Sequence, residues 1–138
     1  MTTLLGTNPL ADLNTRTERS PQERRGTLVT TVNNLDCGVL VRIEGEAGLF
    51  GLEKLECAFA RLIARRTRLA ILDLSQLTFL SSLAMGQLVR LQRDLNRWNG
   101  RVKIASCPPA IREALDVAGL LGFFEFHATV EEALASVR

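Results

Sequence analysis

The chain has no tyrosine, a single tryptophan and a single histidine. Each shortage removes a class of function. Sequence-tolerant binding of single-stranded nucleic acid relies on aromatic platforms, and the one tryptophan, Trp98, falls in the apolar phase of a helix instead. A Ser-His-Asp or Cys-His centre would need His127. That residue comes late, beside a phenylalanine cluster and just before a helix cap, so it reads as structural. Three cysteines, Cys37, Cys57 and Cys107, are widely spaced. With an odd count and no CxxC they argue against a disulfide framework and a zinc site alike. A reduced, cytoplasmic protein is the simplest expectation. Cys57 is assigned to the core, on the apolar side of a helix.

Other absences narrow the field further. The apolar runs are too short to span a membrane, and the start lacks the pattern of a secretory leader. Neither GxxxxGK[ST] nor GxGxxG occurs, and the Gly45–Gly51 spacing matches neither phosphate loop. Charge is balanced, with 17 basic against 15 acidic residues and a net +2. Such balance does not favour nucleic acid or an anionic membrane. No cofactor and no metal are expected, and the reading is non-enzymatic.

What is present is a compact apolar pattern. Of 138 residues, 46% are hydrophobic, enough for one domain with a real core. Residues 1–26 are polar, with Pro9 and Pro21 and no sustained period, and read as a flexible tail. Residues 27–138 read as the folded domain. Thr27–Asn33 and Val39–Glu44 are strands joined by turn formers, hence a hairpin. Leu52, Leu55, Phe59, Leu62 and Ile63 share one face of a helix. Leu69–Leu74 is apolar nearly throughout, as a strand covered on both faces should be. A short apolar loop follows. A second helix runs from about Ser82 to Asn99, stopped by Asn99-Gly100. Arg101–Ser106 is a strand, Pro108-Pro109 opens a third helix, and Phe123–Phe126 forms a short strand or bend. Thr129 to Glu132 has the spacing of a capping box at the last helix. A hairpin followed by alternating strands and helices argues an α/β fold with a mixed, largely parallel sheet.

Three places invite chemistry. Asp73 lies inside the apolar strand near its C-terminal end, the edge where sites gather in open α/β sheets. It is a candidate acid at a site edge, or a carboxylate that holds the strand-to-loop turn. Arg90, Arg93 and Arg97 recur on one helix flank with Asp94 among them, which reads as a solvated face. Ser81 and Ser82 stand where a strand and loop meet a helix N-terminus. A hydroxyl there can cap the helix, and a phosphate there meets free backbone amides.

The ordered set Asp73, Phe79, Ser82, Gly86, Gly100, Gly119-Leu120, Phe124 and Glu131-Glu132-Ala133 resembles the STAS domain of anti-sigma factor antagonists. The resemblance covers about Leu28 to Val137. It implies a sheet of four to five strands with about four helices packed mainly on one face. It also implies a regulator of transcription that binds an anti-sigma factor or serine kinase. In the family, phosphorylation of the serine at the helix start blocks that binding. Ser82 takes the phospho-acceptor position, with Ser81 as substitute, and Ser81, Ser82, Leu83, Met85 and Gly86 form the expected partner surface. The family pattern is altered at Ser81 (aspartate in the family), Leu83 (serine or threonine), Ala84 (glycine) and Gly48 (aspartate). A scaffold subunit of a stress-sensing or transport complex, without the switch, is the first alternative. A small-ligand or nucleotide binder using the edge near Asp73 is the second.

Overall fold

The computed structural model describes residues 27–137. The expected tail, residues 1–26, lies outside the described residues. In chain order the elements are β1 (Leu28–Asn34), β2 (Val39–Ala47), α1 (Leu52–Ala64), β3 (Leu69–Asp73), β4 (Leu77–Leu80) and α2 (Ser82–Asn96). Then come β5 (Arg101–Ala105), α3 (Pro109–Val117), a 3-10 turn (Leu121–Phe123), β6 (Glu125–His127) and α4 (Val130–Ala135).

The sheet has six strands in the order β1-β2-β3-β5-β6, with β4 beside β2. β1 and β2 are an antiparallel hairpin; every other pairing is parallel. The long strand β2 serves two partners in turn. Val39–Arg42 pair with β3, and Gly45–Ala47 pair with β4 after an irregularity at Gly45/Glu46. Gly45 has φ +101, and an added Cβ would collide with the carbonyl oxygen of Thr27. Glycine is therefore what lets the strand change partners there.

Helices α1, α2 and α3 cover one face. Leu55, Phe59 and Leu62 of α1, Leu88, Leu91 and Leu95 of α2, and Ile111 and Leu115 of α3 meet Val41, Ile43, Leu72, Val102 and Ile104 of the sheet. Each fully buried leucine of α2 contributes about 2 kcal/mol of apolar transfer. Among the described residues only α4 packs on the other face, through Ala133 against Leu69, Ile71 and Ala105. All five residues of β3 are buried because helices cover both of its sides.

The second face also holds a charged group. Lys103 is 1% exposed. Its Nζ donates to Glu125 Oε2 at 2.6 Å and to Ser136 Oγ, and His127 Nε2 lies 2.6 Å from the same carboxylate oxygen. The hydrogen bond from Lys103, then that from His127, hold the Glu125 carboxyl below the usual carboxylate range. His127 belongs to this structural network on β6.

Three expectations need correction. Residues 77–80 are a strand, which makes the sheet six-stranded. The second helix stops at Asn96, and the left-handed turn falls on Asn99, φ 62, with Gly100 N–H donating to Leu95 O at 2.8 Å. Cys57 is exposed. Two residues beyond Leu55, it lies about 200° round the helix from the buried stripe. Cys37 is exposed too, while Cys107 is half-buried. Burial pushes the Cys107 thiol up to about 11, against a smaller opposing pull from Arg112.

Candidate functional site

The C-terminal end of β4 runs directly into α2, and the two serines divide the junction between them. Ser81 is the N-cap, with extended backbone at φ −76 and ψ 164. Its Oγ accepts from Ala84 N–H at 3.1 Å. Its own N–H donates to Ala47 O at 2.8 Å, which ties the junction to the end of β2. Ser82 is the first helical residue and is exposed. Among the described residues its hydroxyl has no hydrogen-bond partner. The helix-capping role thus falls to Ser81, and Ser82 presents an unengaged hydroxyl beside a helix N-terminus.

The surroundings of Ser82 are apolar. Leu83 is 56% exposed and Phe79 50%. A Cβ on Gly48 would sit 3.5 Å from the Phe79 ring, so the ring lies over the β2–α1 loop. The next two residues of that loop, Leu49 and Phe50, are 70% and 84% exposed. Sequence reasoning passed over this pair. The signal was an apolar dipeptide between Gly48 and Gly51, in a loop with no other reason to be apolar. Gly86 is exposed with open space where a Cβ would go. Met85, expected on the same surface, is buried in the core. It stands one turn before Leu88 and therefore on the inward stripe with Leu88, Leu91 and Leu95.

Asp73 is engaged at both oxygens. Oδ1 accepts from Ser75 N–H at 3.0 Å, and Oδ2 accepts from Arg42 Nε at 3.1 Å. The carboxylate fastens the turn between β3 and β4 and anchors an arginine of β2. That is the turn-holding role, and it leaves no carboxylate oxygen without a partner for a ligand. Arg90 and Arg97 both reach Asp94, at 3.6 and 3.4 Å, so the arginine flank is partly self-neutralised. Among the described residues no group of three or more His, Cys, Asp or Glu side chains gathers as a metal site. No described helix is long and apolar enough to cross a membrane.

Two features frame the candidate site: an α2 N-terminus carrying Ser82 at the end of a parallel strand, and a hairpin-led sheet with three helices on one face. Residues 28–133 match the family model for the STAS domain. The chain belongs to the STAS domain family. BtrV of Bordetella bronchiseptica, named as a candidate anti-sigma factor antagonist, is 23% identical over 108 residues, which is 78% of this chain and 93% of BtrV. An anti-sigma factor antagonist from Mycobacterium paratuberculosis superposes with a TM-score of 0.74 at 27% identity, covering 81% of this chain and 95% of that one. The fold is shared as well with SpoIIAA in its unphosphorylated form, at TM-score 0.69 and 23% identity over 80% of this chain and 96% of that one. The STAS assignment and the likeness to anti-sigma factor antagonists agree with the ordered residues noted in the sequence.

Proposed function

We propose that this STAS domain is a non-enzymatic anti-sigma factor antagonist that docks an anti-sigma factor or serine kinase through the start of α2, and that phosphorylation of Ser82 breaks the contact. The observation that carries the reading is the pairing of an exposed, unengaged Ser82 hydroxyl with exposed apolar side chains at Leu83, Phe79, Leu49 and Phe50. An apolar patch of this kind on a small domain favours a protein partner. A phosphate adds about −1.5 to −2 charge. The helix N-terminus tolerates that charge through its amides and dipole, so the fold need not change. The partner must instead desolvate a dianion among hydrophobic contacts, which opposes binding. SpoIIAA, of the same fold, has also been solved in a phosphorylated form.

The partner surface consists of Ser81, Ser82, Leu83 and Gly86, with Met85 supporting it from beneath. A cytoplasmic location fits a partner of this type. The unswitched scaffold is the second reading, favoured by Leu83: an exposed leucine beside the acceptor suits a permanent contact. Incubation of the full chain with its cognate kinase and ATP, followed by phosphate mapping by mass spectrometry, separates the two. Phosphate on Ser82 together with loss of partner capture supports the switch. Stable capture with no phosphate on either serine supports the scaffold, and absence of capture in any state overturns both.

A further inference from the structure

The two edges of the sheet are finished differently. β6 closes one side with three residues, Glu125–His127, whose glutamate and histidine are held in the Lys103 network. A short, charged edge resists pairing with other chains. β1 closes the other side with seven residues, LVTTVNN. It contains no charged residue, no proline and no glycine. Val29 and Val32 are 47% and 40% exposed. β-Branched residues dominate it, so its strand propensity is high, and within the strand itself neither charge, proline nor glycine blunts the edge.

The hydrogen-bond phase of β1 is fixed by two contacts. Glu46 N–H donates to Thr27 O at 3.0 Å, so the backbone groups of Thr27 face β2. In an antiparallel pair the direction alternates; Leu28, Thr30, Val32 and Asn34 therefore turn theirs outward. Lys54 Nζ donates to Leu28 O at 3.2 Å, as an outward carbonyl allows.

We propose that β1 pairs antiparallel with β1 of a second copy of this chain, about a twofold axis at Thr31, joining two sheets into one. In that register Thr30 stands opposite Val32 of the second copy. Both are outward-facing, so the two exchange a pair of backbone hydrogen bonds, and the symmetric pair does the same. Thr31 meets Thr31 of the second copy at a non-hydrogen-bonded position, where side chains are closest. A twofold interface is self-complementary, so each off-axis contact occurs twice and only Thr31 meets its own counterpart, and here no like charges meet because the strand has none.

The flanking helix agrees with a twofold partner. A groove of about 470 Å³ runs between β1 and α1, lined by Thr30, Val32, Glu53, Lys54, Cys57 and Arg61. Glu53 lies toward one end of α1 and Arg61 toward the other. A second α1 running in the opposite direction brings each Glu53 toward the other copy's Arg61. The pairing is independent of the Ser82 reading, and it points the two Ser82 surfaces in opposite directions.

Size-exclusion chromatography with light scattering on the full chain, over a concentration series, tests the pairing. The expected result is a monomer–dimer equilibrium that Thr31→Lys and Val32→Pro each shift to monomer. The Val32 N–H faces outward, so proline there removes no bond to β2; circular dichroism checks that both variants remain folded. With Cys37, Cys57 and Cys107 changed to serine, Thr31→Cys should give a covalent dimer on oxidation. Val29→Cys should not, because it lies away from the axis. A full chain that stays monomeric at its highest soluble concentration overturns the proposal. So does a dimer that both folded edge variants leave intact, or one that Val29→Cys crosslinks as readily as Thr31→Cys.

Discussion

Ser81 and Ser82 can be replaced by alanine one at a time, and the junction geometry assigns the two changes different costs. Ser81→Ala removes the acceptor for Ala84 N–H. Loss of an N-cap costs about 0.5–2 kcal/mol. Ala84 is 0% exposed, so water does not readily replace the lost partner, and the cost belongs in the upper half of that range. For a domain of this size about 1–2 kcal/mol lowers Tm by roughly 4–8 °C. Ser82→Ala removes an exposed hydroxyl with no partner and should stay within about 0.5 kcal/mol of the parent. Ser81→Asp restores a strong cap and adds a negative charge at the positive end of the helix, so it should match or exceed the parent. Urea unfolding followed by tryptophan fluorescence measures all three. Trp98 is the only tryptophan, and its ring N–H donates to Thr67 O at 2.8 Å, so unfolding changes its environment. Equal losses for the two alanine variants, or no loss for Ser81→Ala, would refute the assignment of Ser81 as the cap and Ser82 as the unengaged acceptor.

Three further substitutions test the scaffold. The fold lowers the pKa of Glu125, so its contribution to stability is present above the ordinary carboxylate pKa. It is lost as pH falls from the ordinary carboxylate range through the lowered value. Glu125→Gln should cost about 1–2 kcal/mol at neutral pH and flatten that part of the stability profile, as read from urea midpoints across the acid range. Gly86→Ala fills open space in a helix and should stabilise by about 0.5–1 kcal/mol. Gly45→Ala forces a side chain into φ +101 against the Thr27 carbonyl and should destabilise by at least about 2 kcal/mol. Thermal melts of both glycine variants measure the contrast.

Where burial was continuous, the elements were legible in the sequence. Leu69–Leu74 announced a two-sided strand because nothing polar interrupts it before Asp73. The α1 stripe was readable because Leu55, Phe59 and Leu62 keep the helical period. β4 was not legible. Four residues, with Leu77 and Leu80 buried and Thr78 and Phe79 exposed, do not alternate, and the strand exists because β2 runs on past β3 to receive it. Cys57 and Met85 were misplaced because helical phase was not followed through: Cys57 was set on the apolar side of α1, and Met85 was taken onto the partner surface with its neighbours in sequence. A cysteine two positions from Leu55 points outward, and a methionine three positions before Leu88 points inward. At the candidate site, the ordered motif residues pointed to Ser82, and the structure places it at the first turn of α2 with an exposed hydroxyl. The division of labour between the serines depends on backbone geometry that composition does not encode, and the Leu49-Phe50 contribution arrives from a separate part of the chain.

If Ser82 is the acceptor, as proposed, the bond from Ser81 N–H to Ala47 O bears on how it would be recognised. The turn that displays Ser82 is held by a carbonyl contributed from the far end of β2, well upstream in the chain. A peptide spanning Leu77 to Asn96 carries the same letters without that anchor, and without the Leu49-Phe50 loop beside it. An enzyme or partner selective for this surface therefore reads a folded shape and passes over the linear motif. Unfolded or newly made chains would then escape modification until the hairpin has joined the sheet, so the mark could fall only on molecules already competent to bind.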